Sequence, residues 1–236
     1  LTKKEQEEWN DITKQISQMM ARMKANGNAD TSLSSNTRLK QLLINRARIV
    51  KNASGKVPLA INLLLREYVG GQSWIIYCDN ITQLKAVLNG AIDAGFDAFE
   101  YYSDMEGDRD ETLRYFSKNG GVLVSIKCLD EGVDIPSTTH ALILASSQNP
   151  REFIQRRGRI LRNSRGKLFA HLYDAITVPV VESEETPKSM SIIIGELSRA
   201  IQFGLGAENP ACVTDLKNIA VDYQIDYKSL QNTGME

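Results

Sequence analysis

The stretch SWIIYCDNITQLKAVLNGAIDAGFDAFEYY, residues 73–102, places a helical period between two apolar runs. SWIIYC is short and continuously apolar, the pattern of a strand buried on both faces. NITQLKAVLNGAIDAGF reads as a helix, with Asn80 or Thr82 as its cap and Gly95 as its stop. DAFEYY then reads as a second strand. A strand, a helix and a strand at this spacing predict a βαβ unit with parallel strands.

The pattern continues downstream. GDRDETLRYFSKNGG is a polar loop followed by a helix, and VLVSI, HALILA and LFAHLYD are three further strands. This alternation predicts an α/β fold with a doubly wound, mainly parallel sheet. Upstream, Trp9, Ile12, Ile16, Met19, Met20 and Met23 recur at three- and four-residue steps, the period of an amphipathic helix. The polar run ANGNADTSLSSNT interrupts it. Helical periodicity resumes through Leu39, Leu42, Leu43, Ala47 and Val50 and continues in VPLAINLLLREYV, where Pro58 fits the first turn of a new helix. Near the end, SMSIIIGELSRAIQFGL and VTDLKNIAVDYQI are helical on either side of Pro210. The expected organisation is a helical lead-in over 1–55, a sheet domain over 56–180 and a helical accessory segment over 181–236.

Composition excludes several classes. The 236 residues are 42% hydrophobic and 24% charged, ordinary for a globular protein, and no apolar run approaches a membrane span. The start, LTKKEQEEWN, is too polar for a secretory leader and lacks an initiator Met, which suggests a piece of a longer protein. Cys78, Cys128 and Cys212 are few, far apart and odd in number. They suit a reduced cytosolic protein better than a disulfide or zinc framework, with Cys78 and Cys128 as small core residues. The formal net charge is only -1, yet residues 1–55 hold ten Lys/Arg against five Asp/Glu and residues 181–236 hold four against nine. This asymmetry reads either as two solvated faces or as opposed surfaces, one of which meets an anionic partner.

In an open parallel sheet, ligands bind beyond the carboxyl ends of the strands. Two of the loops expected there are unusual. KCLDEGVDIPS, after VLVSI, carries Asp130, Glu131 and Asp134 around Gly132. SSQNPREFIQRRGRILR, after HALILA, opens a helix at Asn149-Pro150. On that helix Gln155, Arg159 and Arg162 share one face, while Ile154, Gly158 and Leu161 share the neighbouring one and could seat it on the sheet. With Arg151, Arg156, Arg157, Arg165 and Lys167 the segment is strongly basic. It could grip nucleic acid, grip a nucleotide phosphate through guanidinium forks, or be a solvated helix face.

QRRGRILR resembles motif VI of superfamily 2 helicases, and VLVSIKCLDEGVDIP resembles their motif V. WIIYC stands where motif IV does, and the helix from Arg109 to Phe116 keeps the family's order. The resemblance covers residues 56–174 and implies a RecA-like C-terminal helicase lobe. It implies that Arg159 and Arg162 act as arginine fingers on the γ-phosphate of ATP and that Gln155 senses that phosphate. Arg156 would tie motif VI to its neighbours across the cleft. Gly132 and Asp134 would contact the nucleotide, and Ser125 with Lys127 the nucleic-acid backbone. A motif VI that begins with Gln is similar to DNA-directed branches: the XPB-like, UvsW-like and restriction-type helicases. DNA is therefore the implied partner, with RNA second.

No G-x-x-x-x-G-K-[ST] phosphate loop occurs in the sequence. ASGKVP offers Gly55-Lys56 alone, and Lys56 reads as a helix-start residue. There is no acidic magnesium motif either. The resemblance thus implies a second motor lobe whose ATP site, with its Mg2+, is completed by an N-terminal lobe absent from this sequence. The rival readings are a stand-alone nucleic-acid-binding module without ATPase activity, and a nucleotide-binding regulator built on a similar sheet.

Overall fold

The computed structural model describes residues 1–25, 36–126, 138–145, 167–180, 190–209, 211–226 and 230. They fall into two compact units, one of Leu1–Ala53 with Ile176–Glu236 and one of Ser54–Ala175.

The second unit is the expected α/β fold. Helix α3 (Lys56–Glu67) leads into β1 (Ser73–Cys78), α4 (Ile81–Asp93), β2 (Ala98–Tyr101), α5 (Arg109–Asn119), β3 (Gly121–Ile126), β4 (His140–Ile143) and β5 (His171–Asp174). Every strand pair is parallel, and the order is β2-β3-β1-β4-β5. All six residues of β1 are buried, as its continuous apolar run requires. Asn80 is the cap of α4, its side chain accepting from the Gln83 amide at 2.9 Å. Asp108 caps α5 by accepting from the Asp110 and Glu111 amides. Gly95 ends α4 with φ +86°, a conformation that costs a glycine little.

The pleat divides the core. Trp74, Ile76, Cys78, Val122, Val124, Leu142 and Leu144 pack with Ala60, Leu63 and Leu64 of α3 and with Leu84, Val87, Leu88 and Ala91 of α4. The alternate residues Ile75, Tyr77, Leu123, Ser125, Ala141 and Ile143 face the other side and are buried as well. Right-handed crossovers require this two-sided covering. The step from β1 outward to β2 carries α4 over one face, and the return from β2 to β3 carries α5 over the other. Cys78 is a buried core residue with its thiol pKa pushed up to about 12, first by burial and then by Asp79. Cys128 lies outside the described residues.

At the opposite end of the strands Trp74, His140 and His171 stand in one row across β1, β4 and β5. Their rings stack at centroid distances of 4.5 and 4.6 Å, and Tyr173 stacks on Trp74 at 5.6 Å. Burial, and then the charge on His171, lower the His140 pKa to about 4 against a smaller opposing pull from Glu67. A histidine with a depressed folded-state pKa contributes stability that is fully present above its unfolded value of about 6.5. That contribution is lost as pH falls from there toward 4. Urea unfolding of the sheet-bearing unit is therefore expected to show about 2 kcal/mol less stability at pH 5 than at pH 7 from this group alone. His140→Phe keeps the stacked ring and should flatten the drop. A wild type equally stable at both pH values would show that His140 titrates normally.

The other unit holds α1 (Lys3–Ala25), α2 (Thr37–Lys51), α6 (Ser191–Leu205) and α7 (Ala211–Asp222). Segments from both ends of the chain, 1–53 and 176–236, share this unit. Trp9, Val50 and Ile192 form one buried cluster, so residues from α1, α2 and α6 cover one another. Ile193, Leu197 and Ile201 pack with Leu216 and Ala220 in a second. The basic front and acidic rear consequently belong to the same unit, where fourteen Lys/Arg meet fourteen Asp/Glu. Three charged side chains inside it escape the apolar periodicity. Arg46 is fully buried with its guanidinium 5.2 Å from the centre of the Trp9 ring, and Glu196 pairs with Arg199 at 2.6 Å in a buried bridge. Among the described residues no helix is long and apolar enough to cross a membrane.

Candidate nucleotide and nucleic-acid site

The strand order locates the place where a ligand can bind. From β1 the chain moves toward β2, whereas from β3 and β4 it moves the other way. Crossovers of opposite direction leave opposite faces, so a crevice opens at the carboxyl end of β1, between it and its neighbours. Cys78 pairs with Ile126 at the end of β3, and Tyr77 pairs with Ile143 at the end of β4. The segments 127–137 and 146–166 therefore start from strand ends on either side of β1, at the same edge of the sheet.

Of the eight candidate residues that the helicase resemblance implies, Ser125 is the one among the described residues. It occupies the penultimate position of β3, opposite Tyr77 on one side and Tyr101 on the other. Its side chain is fully buried, and its hydroxyl has no hydrogen-bond partner among the described residues. A direct contact with a nucleic-acid backbone would require that hydroxyl to become accessible. Lys127, Gly132, Asp134, Gln155, Arg156, Arg159 and Arg162 lie outside the described residues, as do Ile154, Gly158 and Leu161.

The edge itself is held by polar contacts that periodicity does not reveal. After β1, the Asp79 amide donates to the Gln83 side chain at 2.9 Å, which ties the turn to the first helical turn of α4. Beside β3, Tyr101 is buried. Arg109 lies over its ring at 5.0 Å from the centre and donates to its hydroxyl at 3.2 Å. Beyond β4, the amides of Leu144 and Ala145 both donate to the Tyr77 carbonyl, at 3.0 and 3.3 Å. Lys56 does start α3, as its sequence position suggests, but its ammonium is also buried and donates to the Leu144 carbonyl. A lysine in a first helical turn opposes the helix dipole, and that is the sequence signal for a second role.

Residues 55–164 match the family model of the helicase conserved C-terminal domain. Over 59 residues the chain is 41% identical to a Methanocaldococcus jannaschii protein that carries the name of an ATP-dependent RNA helicase. That match spans 25% of this chain and 8% of the relative. Over 63 residues it is 40% identical to the DNA 3'-5' translocase XPB2 of Sulfurisphaera tokodaii, spanning 26% of this chain and 14% of the relative. The chain thus matches only a small part of the length of these curated relatives. Among solved structures, the C-terminal domain of the DEAD-box protein Dbp5 is similar at 18% identity and a TM-score of 0.48, over 64% of this chain and 79% of that one. The Pyrococcus furiosus Hef helicase domain is similar at 18% identity and a TM-score of 0.40, over 71% of this chain and 36% of that one. Residues 55–164 thus match the helicase conserved C-terminal domain, and the parallel sheet and the motif order in the sequence agree with that match.

Proposed function

We propose that this chain is the second motor lobe of an ATP-dependent DNA helicase or translocase. On this reading ATP is the substrate, and a first lobe cradles its phosphates and holds Mg2+. This chain supplies Arg159 and Arg162 to the transferring phosphoryl group and Gln155 to sense it, with Gly132, Asp134 and Arg156 on the nucleotide side and Ser125 with Lys127 toward the nucleic acid. The observation that carries the reading is the match to the helicase C-terminal domain over the segment that contains both basic and acidic loops. The strand ends of β3 and β4, which flank β1, support it, because those two loops follow from the same edge of the sheet. The glutamine that opens QRRGRILR, and a relative named as a DNA translocase, support DNA over RNA.

Two assays test this. The chain by itself is expected to hydrolyse no ATP, since its sequence holds no phosphate loop. Turnover on the order of 1 per second, an ordinary enzyme rate, would mean that the site is complete within the chain. In the whole protein, duplex DNA is expected to stimulate ATPase activity more than RNA of the same length. The reverse order would assign the motor to RNA.

A further inference from the structure

We infer that Lys56 is a positioning residue for the arginine segment: its buried ammonium, held on the Leu144 carbonyl, sets the place where the chain leaves β4. This rests on the function proposed above, because it concerns how Arg159 and Arg162 are aimed. Lys56 is only 4% exposed, and its nitrogen reaches a carbonyl 88 residues away in sequence. Lysine is rarely buried, and its charge is costly to remove from water. At the start of α3 it also opposes the helix dipole. A methionine would fill the same space without either penalty, so packing alone does not account for a lysine here.

The carbonyl it grips explains the choice. The ladder between β4 and β5 ends where the Ala175 amide donates to the Ile143 carbonyl at 2.9 Å. The next residue, Leu144, no longer pairs within that ladder. Its amide is tied to Tyr77, and its carbonyl is tied to Lys56. Leu144 and Ala145 are both buried, so the exit from the strand is fixed on two sides. The helix expected to carry the arginines opens at Asn149, five residues beyond Leu144. A catalytic group displaced by about 1 Å can lose roughly a hundredfold in rate, so a fixed exit matters to a guanidinium that must meet a phosphoryl group.

Lys56→Met in the whole protein tests this. The unfolding midpoint is expected to stay within a few degrees of wild type, because removing a buried charge offsets the carbonyl left unpaired. The kcat for ATP should fall about tenfold to a hundredfold, with KM and DNA affinity changed by less than about twofold. In an Arg159→Ala background the same change should lower the rate by less than about twofold, because Arg159 and Arg162 act on one phosphoryl group as a unit that is then already broken. Unchanged kcat in Lys56→Met, or its full effect repeated in the Arg159→Ala background, overturns the inference. If Lys56→Met melts early, Lys56→Arg carries the test, since it keeps a cation on a longer stem. Restored stability with a depressed kcat upholds positioning, and full recovery of both overturns it. The control is Arg159→Ala alone. If that variant keeps the wild-type rate, the proposed function fails. If it is inactive while Lys56→Met is normal, only the positioning role fails.

Discussion

In the whole protein at saturating DNA, Arg159→Lys is expected to lower the ATPase rate about a thousandfold, nearly as far as Arg159→Ala. The charge that develops on a transferring phosphoryl group is spread over its equatorial oxygens. A planar guanidinium can meet two of them at once, whereas an ammonium meets them as a point charge. Lysine keeps the sign of the charge and loses the fork. Because the interaction grows in the transition state, its loss should fall on kcat and leave ground-state binding nearly untouched. DNA affinity, measured separately at fixed salt, should therefore change by less than about twofold. Arg162→Ala should behave in the same way. The rival reading, in which residues 151–167 grip a nucleic-acid backbone, expects the opposite division: a weaker, more salt-sensitive DNA complex and a rate that recovers at high DNA concentration. Arg159→Lys with most of the wild-type rate would decide for the rival.

The parts of the fold that could be read from sequence are those set by local chemistry. SWIIYC is uniformly apolar because β1 is the central strand with a covered face on each side. Asn80 and Asp108 are caps because their short side chains reach the free amides of a first helical turn. The pairing of lead-in and tail was not legible. Trp9, Val50 and Ile192 each announce an apolar stripe, but a period does not say which stripe covers which when about 140 residues lie between Val50 and Ile192. The burial of Arg46 and Lys56 is not legible for a related reason. Both stand at polar positions of a helical pattern, and only the tertiary fold brings a ring or a carbonyl to meet them. For the site, the helicase resemblance orders the candidate residues along the sequence, and all of them but Ser125 lie outside the described residues. The burial of the Ser125 hydroxyl was not legible, because a strand covered on both faces shows no polar alternation to mark one residue as inward.

A large effect on stability is expected at Gly120, where α5 ends and β3 begins. Its backbone, at φ 78° and ψ -153°, lies in a region open essentially to glycine alone. Its amide closes α5 by donating to the Phe116 carbonyl at 2.9 Å, so the conformation cannot shift without opening the helix end. A Cβ at this position would stand 2.7 Å from the Gln72 carbonyl oxygen. That same oxygen accepts from the Gly121 amide at 2.9 Å, so backing away would loosen the approach to β1. Dihedral strain of about 1–3 kcal/mol and a backbone clash of similar size act together. Gly120→Ala is expected to destabilise the sheet-bearing unit by about 3 kcal/mol or more. Gly95 supplies the comparison, because it also has a positive φ, at +86°, but a Cβ there meets nothing within 4 Å. Gly95→Ala should therefore cost only about 1–2 kcal/mol, the left-handed penalty without the collision. Guanidinium unfolding of the two variants, read as midpoints at equal m, separates the contributions. Equal losses would mean that the chain around Gln72 gives way and that the junction between α5 and β3 is softer than its hydrogen bonds imply.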